Sequence, residues 1–187
     1  MSTQSATKAN NAIGATFLSI FGAVWLAGWY FNTPGVSSAV LVAILLVAVV
    51  LSAFAVRLFI HNRVAYALFR KTVDGKRSSI ALAAINTVQW VLIFALAVLL
   101  PQSQAQWFLP AVILIVGVHF IPLASAISYP PYYLTAVALF TVASLHVWLA
   151  SATSSSAIGA LGAGLTLWLT AVGQMLGKLP LPAEQAA

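Results

Sequence analysis

Cysteine is absent from the sequence, which rules out a disulfide framework, a thiolate metal site and thiol chemistry. Charge is almost absent too: eight basic and two acidic residues make up 5% of the 187, where soluble domains carry about a quarter. So few charges cannot cover a water-facing surface, and an ordinary soluble fold is excluded. Carboxylates are scarcest. The two acids, Asp74 and Glu184, both lie outside the long apolar stretches. That removes paired-acid catalysis, a proton-coupling acid inside the bilayer and a cage for hard cations. Phosphate-binding glycine loops, zincin motifs and nucleophile elbows are missing as well, so no catalytic residue, metal ligand or cofactor is assigned. The formal charge of +6 does not mark a nucleic-acid binder, because the basic residues flank apolar stretches instead of gathering on a polar domain.

What the sequence has is apolar length, with 62% hydrophobic residues. Crossing a hydrocarbon core of about 30 Å takes about 20 residues at a rise of about 1.5 Å each. Six stretches qualify: residues 11–31, 36–60, 79–100, 107–128, 132–150 and 157–177. Asn32-Thr33-Pro34-Gly35, Pro101 with the polar tract 102–106, Tyr129-Pro130-Pro131 and the serine-rich 151–156 separate them, each a sequence that breaks helices. Ser78 or Ser79 is the expected cap of the third span. The first span exceeds the apolar core of a signal peptide, about 7 to 15 residues, and is expected to be retained. The expected fold is an all-α polytopic membrane helix bundle, a single transmembrane domain of six helices without a sizeable domain outside the bilayer.

Charge placement predicts orientation. Arg57, Arg63, Arg70, Lys71, Asp74, Lys76 and Arg77 lie in or beside the connector 61–78, and Lys8, Lys178 and Glu184 lie near the two ends. With six spans, all of them fall on one side, while the turns at 32–35, 101–106 and 151–156 carry none. By the positive-inside rule the charged side is cytoplasmic, both termini are inside, and the setting is a cell membrane. The basic segment 57–77 is expected to attract anionic lipid headgroups, at about 1 kcal/mol per basic residue near the surface. It either extends the second span as a cytoplasmic helix or lies along the membrane. Trp25, Trp29, Tyr30, Trp107, Tyr129, Tyr132, Tyr133 and Trp148 fall toward span ends, as in an aromatic belt.

Polar residues inside the spans are the candidates for function. Asn86, Gln89 and Trp90 share one face of the third helix, and His119, Pro122 and Ser125 follow in the fourth. Pro122 has no N–H for the Val118 carbonyl, which frees that oxygen close to His119. Together they predict a small ligand-binding site among spans three to five. The competing use is interhelical glue, at about 0.6 kcal/mol per contact. His146, near the uncharged end of the fifth span, reads as a capping or interfacial group, since two imidazoles without acidic or thiolate partners are a poor ligand set. In the sixth span Gly159, Gly162, Thr166, Thr170, Gly173 and Gly177 form a stripe of small residues. Its simplest use is an internal helix contact, and the alternative is the seam of a homo-oligomer.

The stretch Ile85-Asn86-Thr87-Val88-Gln89-Trp90, followed by Gly117-Val118-His119-Phe120-Ile121-Pro122-Leu123-Ala124 and Pro131-Tyr132-Tyr133, resembles a signature shared by uncharacterised small multi-pass bacterial membrane proteins. The resemblance spans the third to fifth helices. It implies a bacterial inner-membrane setting and importance for Asn86, Gln89, His119 and Pro122, and it supplies no substrate. The function expected from the sequence is a non-enzymatic binding or transport-like membrane protein. An accessory subunit seated through the sixth span is the alternative.

Overall fold

The computed structural model describes residues 3–150 and 157–177. Every regular element among them is helical: α1 Thr3–Phe31, α2 Ser38–Phe69, α3 Val73–Leu99, α4 Phe108–Ala126, α5 Pro131–Ala150 and α6 Ile158–Leu176, with a 3-10 turn at Gln102–Trp107 before α4. All six α-helices are long and apolar enough to cross a membrane. The chain is therefore an all-α bundle of six membrane-length helices.

Their ends follow from local chemistry. At the end of α1, Asn32 Nδ2 donates to the Gly28 carbonyl at 2.8 Å and Thr33 Oγ1 to the Trp29 carbonyl at 2.9 Å, side-chain bonds to oxygens that otherwise share the one Asn32 N–H. Gly35 then turns the chain with φ +83°. Thr72, not Ser78 or Ser79, caps α3, its hydroxyl accepting from the Gly75 N–H at 3.1 Å. Ser78 instead donates to the Ala126 carbonyl at the end of α4, 2.9 Å away, and Ser79 to Gly75 within its own helix. The early start has a simple cause: Lys and Arg are good helix formers, so a charged segment need not be a loop.

The connector 61–78 is accordingly helical almost throughout, α2 ending at Phe69 and α3 beginning at Val73. Residues 57–69 continue α2 and do not form a separate surface helix. With 32 residues α2 is about 48 Å long, well beyond a hydrocarbon core of about 30 Å. Gly75 makes the tight reversal into α3 feasible, since a Cβ there would strike the Phe69 carbonyl.

Across the bundle the helices run in the order α2, α1, α6, α5, α4, α3. Ile113, Leu139, Leu167 and Tyr132 fill the centre, and alanines line the α1–α6 contact. Here the backbones come close. A Cβ on Gly164 would sit 2.6 Å from Leu26 Cγ, and one on Gly22 would enter the Trp168 ring. The Trp168 indole N–H donates to the Ser19 carbonyl at 2.9 Å, tying the two helices together. Val49, Val50, Ile80, Phe94 and Leu99 of α2 and α3 stay exposed, as expected of helices bathed in lipid.

The α6 stripe faces α5. Gly162 lies against Val142, and the Thr170 and Thr135 hydroxyls are 2.9 Å apart. Thr166 bonds the Gly162 carbonyl of its own helix. A Cβ on Gly177 would meet nothing, and the residue instead caps α6 in the left-handed conformation, φ +61°. His146 also departs from expectation, being buried at 3% exposure rather than interfacial. The missing side chain of Gly159 and the neighbouring Ile113 leave a slot for its imidazole between helices.

Candidate functional site

The bundle order sets α1 and α3 on opposite sides of a gap whose floor is α4, α5 and α6. In that gap lies a cavity of about 330 Å³. From α3 come Asn86, Gln89 and Trp90, which the three- and four-residue spacing puts on one face, and from α4 come His119 and Phe120. Asn10, Phe17, Phe21 and Trp25 of α1 form the opposite wall, with Tyr132 and Leu167 behind. Four of the six residues singled out in the sequence therefore line one cavity. Pro122 instead walls a shallower groove between α3 and α4, sharing Gln89 and His119 with the cavity. Ser125 is elsewhere: exposed, with its hydroxyl 3.0 Å from the Tyr133 hydroxyl. The helical turn explains it, because six residues beyond His119 is a rotation of about 240°.

His119 rests against the Ile85 carbonyl of α3, and its Nδ1 is buried without a hydrogen-bond partner. Asn86 gives its amide N–H to the Leu82 carbonyl, one turn back, at 2.8 Å. α4 passes through Pro122 without interruption.

Sequence reasoning passed over four contributors, Tyr132, Gln174, Gly14 and Asn10. Tyr132, assigned to the aromatic belt, is a core residue at 2% exposure, and its hydroxyl accepts a 2.6 Å hydrogen bond from Gln174 Nε2. Gln174 is itself buried, with Oε1 unpartnered. Gly14 makes room for this pair against α1, since a Cβ there would lie 2.9 Å from Gln174 Nε2 and 3.0 Å from the Tyr132 hydroxyl. The signal for Gln174 was an uncharged amide in an apolar span, which by itself marks a functional candidate. For Asn10 and Tyr132 only the fold supplies the placement. Edge-to-face rings link the groups in sequence, His119 to Phe120 at 5.6 Å, Phe120 to Tyr132 at 4.9 Å and Tyr132 to Tyr129 at 5.1 Å. Burial raises the Tyr129 phenol above its ordinary pKa, which keeps that end of the row neutral.

The site thus offers amides, an imidazole and a phenol set among apolar and aromatic walls, with no charged residue among the described residues that line it. Such a set binds by hydrogen bonding and stacking. Among the described residues no three His, Cys, Asp or Glu side chains gather as metal ligands. No family model, curated protein or solved structure matches the chain, so the resemblance across the third to fifth helices gains no family from comparison.

Proposed function

We propose that this protein is a multi-pass binding or transport-like protein of a bacterial inner membrane, its charged end cytoplasmic, which holds a small molecule between α1, α3 and α4. One observation carries the reading: Asn86, Gln89, Trp90 and His119 meet at a cavity of about 330 Å³ and do not close on one another. That volume falls at the lower end of small-molecule sites, about 300 to 1,000 Å³, and mostly apolar walls with a few convergent polar groups are their usual make-up. Glue alone would have left these groups bonded to each other. The lining presents no nucleophile with an adjacent base, which favours binding over catalysis. The accessory-subunit alternative draws less support, because α5 already covers Gly159, Gly162 and Thr170.

Ligand-dependent stabilisation of the purified protein in lipid nanodiscs tests this. A small neutral compound found to raise the wild-type melting temperature should fail to do so in His119→Ala, whose unliganded melt and helical content stay close to wild type. A His119→Ala protein stabilised as strongly as wild type would refute the site.

A further inference from the structure

We infer that the cavity takes an uncharged, lipid-soluble ring compound carrying a hydroxyl or carbonyl oxygen, admitted sideways from the bilayer between α1 and α3. This rests on the cavity being a binding site and adds the chemistry of its occupant and its route.

Charge is decided by the lining. Among the described residues no Lys, Arg, Asp or Glu contacts the cavity, so an ionic ligand would lose its hydration with nothing there to compensate. The route follows from the bundle order, in which α1 packs on α2 and α6 while α3 packs on α4. Phe21 and Trp90 bridge the gap between them, ring centroids 6.1 Å apart. Phe17 and Trp90 on its rim are 59% and 53% exposed. Phe17 stands nine residues beyond Lys8, and Asn86 nine beyond Arg77, which is about 13 Å along each helix from the charged end. The mouth is therefore at hydrocarbon depth and admits what dissolves there.

The ring follows from the walls, since Phe17, Phe21, Trp25 and Trp90 present aromatic faces and edges that a flat ring meets in stacked or edge-on geometry. The oxygen follows from the opposite wall. The Tyr132 hydroxyl accepts from Gln174 and so keeps its own proton to give. A hydroxyl or a carbonyl oxygen accepts that proton.

Scintillation proximity with the protein in nanodiscs, blanked with empty nanodiscs, tests the inference using tritiated 1-naphthol, with naphthalene and naphthalenesulfonate as competitors. Saturable naphthol binding is expected, with naphthalene about five-fold weaker and the sulfonate unable to compete. Tyr132→Phe should weaken naphthol about five-fold and leave naphthalene unchanged. Because Tyr132→Phe removes the partner of a buried amide, Trp90→Ala serves as a second variant on the lipid-facing rim, and it should weaken both aromatic probes. Joining Phe21→Cys to Trp90→Cys with a short thiol-reactive cross-linker should slow naphthol exchange. Equal binding of all three probes with Tyr132→Phe silent overturns the ligand class while leaving the site intact. Unchanged exchange after cross-linking overturns the lateral route, and no saturable probe at all overturns the proposed function itself.

Discussion

At the scale of single residues, glycines that look alike in the sequence do different work. Gly159 and Gly173 belong to one stripe, yet a methyl on Gly159 would stand 2.7 Å from His146 Nδ1, whereas on Gly173 its nearest neighbour is the Tyr129 hydroxyl at 3.8 Å. Gly159→Ala should therefore lower stability by about 1 to 3 kcal/mol through overpacking. Gly173→Ala should raise it by up to about 1 kcal/mol, because alanine is the better helix former and nothing resists it. Thermal melts of the two variants in one detergent check both signs. The same contrast holds on α1: Gly28 faces open space, and Gly22 faces Trp168. Spacing found the α6 stripe but passed over Gly22 and Gly164, since a close approach depends on which helix lies opposite.

Helices are where the sequence was most readable. Apolar length fixed the number of spans, and Pro101, Pro130 and Pro131 fixed where the chain must turn. Capping was read less well, since Ser78 and Ser79 were eligible but Thr72 lies where the chain leaves α2. Thr72→Ala should cost about 1 kcal/mol, visible as a lower melting temperature and as faster amide exchange at the start of α3. Because the chain has no cysteine, single introduced thiols report topology cleanly. Lys71→Cys in right-side-out vesicles should resist a membrane-impermeant maleimide until the membrane is opened, while Pro34→Cys reacts at once. Finding the reverse would invert the orientation. Labelling of both from outside would break the six-span arrangement.

For the molecule as a whole, the decisive fact is the order in which the helices meet. Strict neighbour-to-neighbour packing would have put α3 beside α2 and enclosed nothing between α1 and α3. Instead α1 turns its glycine and alanine face to α6, α3 rests on α4, and the gap between them becomes the cavity. Filling it should be felt globally. Gly14→Leu, aimed at the Gln174–Tyr132 pair, should both lower stability and abolish probe binding, whereas Gly28→Leu should leave both nearly unchanged.

The sequence by itself determined the solvent, the six spans and the polar face of α3, because hydrocarbon excludes charge and helical periodicity is local. It also placed His119 among the candidates, since a lone imidazole in an apolar helix is costly enough to need a reason. Tertiary structure alone decided that Tyr132 leaves the interface for the core, that Gln174 of α6 meets it there, and that Ser125 turns away. Those outcomes depend on helix rotation and on which backbones come close. In lipid such choices are made by small-residue fit rather than by hydrophobicity, so a pattern of apolar residues carries no record of them.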